Sequence, residues 1–307
     1  MVGRPAQRAG GGDAVMFEGF DARRVDVDGT SLHVRTAGRG PAVLLLHGYP
    51  QTHAMWHRVA PRLAERFTVV VPDLRGYGDS DKPAGDAEHR AYSKRVMAAE
   101  QVSLMRRLGH ERFAVAGHDR GGRVAYRMAL DHPERVSRLA VLDIVPTLTV
   151  FDAVDRRVAT DTFHWFFLIQ PYDFPERLIG ADPAYFLRHL LARWSGDGLA
   201  PFAAEALADY VRCFSEPATI HATCEDYRAG ATVDYEADAT DQGRRRIACP
   251  VLALWGAGGR VERRDPRVVW RQWADDVEGA SLPCGHFVAE EQPEATAEAL
   301  QRFFSKT

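Results

Sequence analysis

Two kinds of apolar pattern alternate along the chain. Residues 25–37, VDVDGTSLHVRTA, switch between apolar and polar positions and carry Asp28-Gly29 in their middle. Period-two alternation broken by Asp-Gly predicts a hairpin whose turn residues take positive φ. Residues 42–46, AVLLL, form a continuous apolar run ending in His47-Gly48. Such a run predicts a strand buried on both faces, as in a parallel sheet covered by helices. Further strands are predicted at 68–71, 113–116, 139–144, 251–255 and 280–282. Helices are predicted at 92–107, 123–130, 266–273 and 291–304. Strand–helix alternation at this spacing predicts an α/β fold with a mixed N-terminal edge to its sheet.

The stretch 147–243 breaks the alternation. It has helical patches, many aromatics (Phe163, Trp165, Tyr185, Trp194, Tyr227 among them) and no convincing buried strand. A helical insertion between two parallel strands lies above their C-terminal edge, where such sheets bind ligands. The expected organisation is a core of 17–146 and 244–307 under a helical cap of 147–243. Residues 1–16 carry Arg and Gly but no apolar segment of a secretory signal, and are expected to be a disordered leader.

Composition narrows the function. At about 150 residues per domain, 307 residues make one large domain or two. With 46% hydrophobic residues there is material for a full core. Thirty-nine basic against 42 acidic residues leave a net charge of -3, which argues against nucleic-acid and acidic-membrane partners. No apolar stretch nears the roughly 18 residues of a membrane span. Cys213, Cys224, Cys249 and Cys284 form no C-x-x-C and are expected to be reduced, mostly buried thiols of a cytoplasmic protein. No Walker loop, HExxH, EF-hand loop or strand-linked GxGxxG occurs, so neither cofactor nor metal is expected. His53 and His57 have i,i+4 spacing but no third ligand nearby in sequence, and read as surface and packing residues at a helix start.

The chemistry concentrates in Gly117-His118-Asp119-Arg120-Gly121, between a predicted strand and a predicted helix. This is the context of a nucleophile elbow, in which flanking glycines allow a sharp turn that exposes the central side chain. An ordinary glycine-rich turn with an aspartate cap is the alternative. Asp143 at the end of LAVLDI, His286 after the last short strand, and His47-Gly48-Tyr49-Pro50 after the first buried strand fall where an elbow needs an acid, a base and an oxyanion loop. With these residues in the order nucleophile, acid, histidine, the sequence resembles the α/β-hydrolase fold across 17–307. The resemblance implies a mostly parallel eight-stranded sheet flanked by helices.

An aspartate nucleophile suits displacement at saturated carbon. The ester on Asp119 would be hydrolysed by water that His286 deprotonates, with Asp143 orienting the imidazole. The backbone N–H groups of Tyr49 and Arg120 are the natural oxyanion donors. Dehalogenation and epoxide hydrolysis both fit. Many of those enzymes carry Trp after the nucleophile; here Arg120 stands there, with Arg123 at i+3. Paired guanidiniums suit an anionic substrate that Asp119 would otherwise repel, although they could merely pair with surface acids.

GHDRGGR, FHWFFL and CEDYRAG together look like the fluoroacetate dehalogenases. That resemblance implies attack of Asp119 on C2 of fluoroacetate, with Asp143 and His286 completing the triad. It implies a carboxylate held by Arg120 and Arg123, a fluoride met by His164, Trp165 and Tyr227, and a homodimer. After VLALW no acid occurs before Glu262, so Asp143 must serve. His118 and Trp194 are expected to line the entrance or support the pocket. Three other readings stay open at this level: an epoxide hydrolase, a dehalogenase preferring chloro- or bromoacetate, and a non-catalytic carboxylate-binding protein.

Overall fold

A computed structural model of the protein describes residues 16–306. Its centre is one eight-stranded sheet in the order β1-β2-β4-β3-β5-β6-β7-β8. The strands are β1 Asp21–Val27, β2 Thr30–Ala37, β3 Ala42–Leu46, β4 Thr68–Pro72, β5 Phe113–His118, β6 Val136–Leu142, β7 Val251–Gly256 and β8 Val277–Leu282. The pairs β1–β2 and β2–β4 are antiparallel, and every later pair is parallel. The Asp28-Gly29 hairpin forms, with φ of 48° and 91° at the two turn residues. β3, β5 and β7 are buried along their whole length, as the continuous apolar runs require.

The strand order reverses at β3, which pairs β4 on one side and β5 on the other. At such a switch point the following loops diverge to opposite faces and leave a crevice at the strands' C-terminal ends. Leu46 at the end of β3 pairs with Gly117 in β5, so the loops that follow these two strands begin side by side. Between β6 and β7 the chain forms eight helices, from Thr147–Asp152 to Val233–Asp241. Central among them is Pro217–Ala231, which is buried on most faces and packs on Phe163–Leu168 and Phe174–Ala181.

Several boundaries move from their sequence-based positions. The helix after β5 begins at Asp119 rather than 123. Its first turn, Asp-Arg-Gly-Gly, lacks apolar periodicity, and packing rather than propensity sets its start. A Cβ at Gly121 would lie 2.3 Å from the His47 carbonyl oxygen, so only glycine lets this helix meet the loop after β3. β6 stops at Leu142, β8 begins at Val277, and the helix from Pro266 ends at Trp270. The last helical stretch divides at Gln292, because Pro293 opens a new helix, Pro293–Phe304, after Val288–Glu291.

Met16, counted with the leader in the sequence reading, is buried in the core; the rest of that leader lies outside the described residues. His53 is fully buried rather than on the surface, with Nδ1 2.9 Å from Asp73 Oδ1, while His57 is half-buried. The fold also brings His33 beside this pair, so that ligand-type atoms of His33, His53 and Asp73 lie within 4.8 Å of one another, which linear spacing could not show. All four cysteines are free and buried. No helix among the described residues is long and apolar enough to cross a membrane.

Candidate active site

The turn from β5 into helix Asp119–Asp131 gives Asp119 a φ of 45°. That left-handed conformation is uncommon for a residue with a Cβ, and here it lifts the carboxylate above the sheet's C-terminal edge. A Cβ at Gly117 would come within 2.4 Å of the Gly121 carbonyl oxygen, so the elbow is too tight for any larger residue there. The Tyr49 N–H, in the loop after β3, donates to Asp119 Oδ1 at 3.0 Å. Asp119 Oδ2 lies 3.9 Å from His286 Nε2, beyond hydrogen-bond length. The two carboxylate oxygens are thus differentiated: one is held by a backbone donor and the other is left to react.

Asp143 follows β6 directly and also has a positive φ, 50°. Its Oδ2 lies 2.6 Å from His286 Nδ1, and its Oδ1 accepts the Gly256 N–H at 3.1 Å. His286 is fixed by its backbone as well. Its N–H donates to the Trp194 carbonyl at 2.9 Å, and its own carbonyl lies 2.9 Å from His118 Nε2. His118 therefore supports the histidine loop from beneath. Burial, and then the charge of His286, push the His118 imidazole down to about 3, so it stays neutral. Glu262, the first acid after β7, contacts Trp255 Nε1 instead of the triad. Burial opposes ionisation of Asp119, but His286, Arg120 and Arg123 outweigh it and hold the carboxyl well below the usual range. The Asp119 carboxyl is an anion at any ordinary pH.

The two arginines differ in what they can still bind. Arg120 is fully buried; its Nε donates to Asp226 Oδ2 at 2.9 Å, and its Nη2 donates to the Asp226 backbone carbonyl at 2.6 Å and to Oδ1 at 3.1 Å. Among the described residues its Nη1 has no partner. Asp226 also contacts Lys94 Nζ and accepts the Tyr77 hydroxyl at 2.6 Å. Arg123 donates through Nη1 to the Val145 carbonyl and to Thr147 Oγ1, at 3.1 and 3.0 Å, and its Nε is unpartnered. The two side chains do converge: the Trp165 ring lies 5.7 Å from the Arg120 guanidinium and 4.5 Å from that of Arg123. Arg120 also sits 4.1 Å over the Tyr227 ring.

His164, Trp165 and Tyr227 are brought together by helices Phe163–Leu168 and Pro217–Ala231. Tyr227 makes edge contacts with His164 at 5.7 Å and with Trp165 at 5.9 Å between ring centroids. His164 Nδ1, Tyr227 Oη, Tyr49 Oη and Trp194 Nε1 are all buried with no hydrogen-bond partner among the described residues. Buried polar atoms are normally paired, so their grouping around one carboxylate marks a place built for a polar guest. Burial, and then the Asp119 charge, push the Tyr227 phenol up; it stays a donor. A cavity of 370 Å³ opens onto Asp119, Asp143, His286, Arg123 and Trp165. Arg120, His164 and Tyr227 are not on its wall, and the unpartnered atoms of all three are closed off from solvent.

Sequence reasoning missed Asp226 as the partner of Arg120, and Arg260 as part of the cavity wall. Nothing in the linear pattern signals either: Asp226 sits inside CEDYRAG with no role attached, and Arg260 lies in a glycine-rich stretch after VLALW.

An aspartate at the elbow, a histidine–aspartate pair beside it and an inserted helical layer above a switch-point sheet define a hydrolase of the α/β class. Residues 41–293 match the family model for the alpha/beta hydrolase fold, and the chain belongs to that family. It is 50% identical over 94% of its length, and 95% of the relative's, to the fluoroacetate dehalogenase of a Burkholderia species. It is 39% identical over 91% of its length, and 95% of the relative's, to a soluble epoxide hydrolase of Corynebacterium sp. (strain C12). Among solved structures, a protein of Nostoc sp PCC 7120 described as an alpha/beta hydrolase superposes with a TM-score of 0.93 at 54% identity, covering 95% of this chain and all of that one (100%).

Proposed function

We propose that the protein hydrolyses fluoroacetate to glycolate and fluoride. Asp119 Oδ2 attacks C2, the C–F bond breaks, and fluoride leaves with the electron pair. Arg120 Nη1 and Arg123 Nε take the substrate carboxylate, a fork that fixes the reacting carbon and offsets repulsion from Asp119. His164, Trp165 and Tyr227 donate to the fluoride, whose dense charge demands fixed donors in a dry site. The resulting ester keeps its carbonyl oxygen at the Tyr49 N–H, with the Arg120 N–H as second donor. Water deprotonated by His286 attacks the Asp119 carbonyl carbon, while Asp143 stabilises the imidazolium.

The observation that carries this reading is the set of unpartnered donors around an aspartate with one oxygen held and one free. The similarity to a fluoroacetate dehalogenase supports it. The mechanism needs no metal or cofactor. The cap of 147–243 closes over the core formed by 17–146 and 244–307. Buried free thiols fit work in the cytoplasm. A homodimer is supported by apolar side chains left exposed on adjacent helices, Phe174 and Leu178 (each 55%) and Tyr185 (68%).

A second reading, epoxide hydrolysis, is favoured by the paired unpartnered hydroxyls of Tyr49 and Tyr227, whose rings lie 5.2 Å apart and could protonate an opening epoxide. Incubation with fluoroacetate, chloroacetate and styrene oxide, measuring halide and diol, separates the two. A single turnover in heavy-oxygen water tests the covalent route: label is expected in the Asp119 carboxylate. Label confined to glycolate would exclude the ester.

A further inference from the structure

Besides Arg123, the cavity is lined by Arg157, Arg260, Arg263 and Arg264, none of which the reaction on a haloacetate uses; of these, Arg260 is the one joined to the ring cluster around Asp119. Arg260 follows β7 in the loop Gly258-Gly259-Arg260 and lines the same cavity as Asp119 and Arg123. Two elements of the inserted layer hold it. Its Nη1 donates to the Asp161 carbonyl at 3.1 Å, and its guanidinium lies 4.6 Å over the Trp194 ring. Trp194 in turn contacts His164 and His286, with ring centroids 4.3 and 5.8 Å away, so Arg260 is tied to the ring cluster around the nucleophile. Among the described residues no carboxylate comes within ion-pair distance of it. Of the four acids lining the cavity, Asp119 accepts the Tyr49 N–H, Asp143 is engaged by His286, Asp155 accepts the Val158 N–H, and Asp161 lies 3.7 Å from Arg157. A partly desolvated cation with no anion beside it is unfavourable unless something else neutralises it. Burial lowers its proton affinity, and more distant Asp143 and Asp119 only partly offset this.

Volume points the same way. The cavity holds 370 Å³. Water takes about 30 Å³ in the liquid, and a haloacetate is on the order of three waters in size. That space runs from Asp119 out to a mouth at exposed Ala153, Asp155 and Arg157, well beyond the reach of one haloacetate bound at Asp119.

We infer that this site accepts 2-halo acids bearing a second carboxylate, the first held by Arg123 and the distal one by Arg260. The inference rests on the dehalogenase reading and adds a substrate class to it. The chemistry is unchanged: the Asp119 oxygen bonds to C2 as the carbon–halogen bond breaks. Water then hydrolyses the ester, giving the 2-hydroxy diacid, halide and one proton. An arginine-lined mouth that merely steers small anions is the competing explanation.

The test compares bromide release from bromoacetate, 2-bromobutanoate, 2-bromobutanedioate and 2-bromopentanedioate by wild type, Arg260→Gln and Arg260→Lys. Glutarate and butanoate serve as competitive inhibitors of bromoacetate turnover. Wild type is expected to turn over at least one diacid, and glutarate to inhibit at least tenfold more strongly than butanoate. Arg260→Gln should lower the diacid-to-monoacid ratio of kcat/KM at least tenfold, with partial recovery in Arg260→Lys. Equal losses on mono- and diacids would identify steering and overturn the inference. So would glutarate and butanoate inhibiting alike, a result that needs no variant to fold. Turnover of bromoacetate with none of either diacid would overturn it while leaving the dehalogenase reading intact. No bromide from any acid would remove both.

Discussion

Replacing Tyr227 by Phe is expected to make the protein more stable and worse at releasing fluoride. The hydroxyl is buried and has no partner, whereas the ring is packed against Tyr49, His164 and Trp165 and lies under the Arg120 guanidinium at 4.1 Å. Phe keeps that packing and a face for the cation. What disappears is one desolvated O–H, whose unpaired burial costs about 1–3 kcal/mol. At about 2 °C per kcal/mol for a chain of this size, Tm should rise by roughly 2–6 °C. Activity should move the other way. A preorganised donor to developing charge is worth about 100- to 1,000-fold, and most where the charge is most concentrated. Fluoroacetate turnover should therefore fall much further than bromoacetate turnover. The assay is halide release from both substrates beside calorimetric melting of both proteins. A lower Tm with equal losses on the two substrates would refute the reasoning, because it would make Tyr227 a packing residue of the inserted layer.

Four further outcomes follow from the same geometry. Asp226→Asn should destabilise the fold by about 3–5 kcal/mol, the cost of breaking a buried ion pair, and lower kcat/KM for haloacetate more than for neutral haloacetamide; matching losses on both would mean Asp226 does not position Arg120. Arg123→Lys should cost about 1–3 kcal/mol of transition-state stabilisation on anionic substrates alone, while Arg120→Lys should in addition lower Tm, since it strips Asp226 of a two-pronged partner. His286→Asn should form the ester and fail to hydrolyse it, so mass spectrometry should find alkylated Asp119; finding neither ester nor product would give His286 an earlier role. Burial pushes Glu290 up to about 8 from an ordinary 4.5, so the folded protein holds a proton that the unfolded chain has released. That contribution to stability is complete below pH 4.5 and lost as pH rises toward 8. Glu290→Gln should therefore gain on wild type by up to about 1.4 kcal/mol per pH unit across the window, and parallel denaturation curves at pH 5 and pH 8 would contradict it.

The sheet was legible because its signals are local. A buried parallel strand is an apolar run, and AVLLL and VLALW announce β3 and β7 without help from the rest of the chain. The meeting of Asp119, Asp143 and His286 was legible because each follows a strand, so the topology delivers them to one edge. The start of the elbow helix was not legible: Gly121 and Gly122 are poor helix formers, and their place is dictated by contact with the loop after β3. The i,i+3 spacing of Arg120 and Arg123 suggested that both face one cavity; both guanidiniums lie by the Trp165 ring, but Arg123 alone of the two is on the cavity wall. It could not predict that Asp226, more than a hundred residues away in sequence, takes two of the Arg120 nitrogens, because long-range pairing leaves no mark on local pattern.

The same contrast separates residues kept for the fold from residues kept for a guest. Arg127 is buried too, but its nitrogens meet Asp238 at 2.8 Å and Asp241 at 2.5 Å, and nothing about it asks for a further partner. Arg120, Arg123, His164, Trp194 and Tyr227 each leave a polar atom buried and unanswered within one cluster. A folding-optimal sequence would replace some of them with apolar residues of like shape, at little cost or with a gain. An anion with a polar leaving group would supply partners for these atoms. Binding energy of this kind favours catalysis only where the relief is greater in the transition state than in the bound ground state. On the proposed reaction the buried donors would meet that condition for fluoride, whose charge develops as the bond breaks, and the arginines would not, since the carboxylate is charged throughout. Loss of an arginine should therefore appear chiefly in KM, and loss of a halide donor chiefly in kcat.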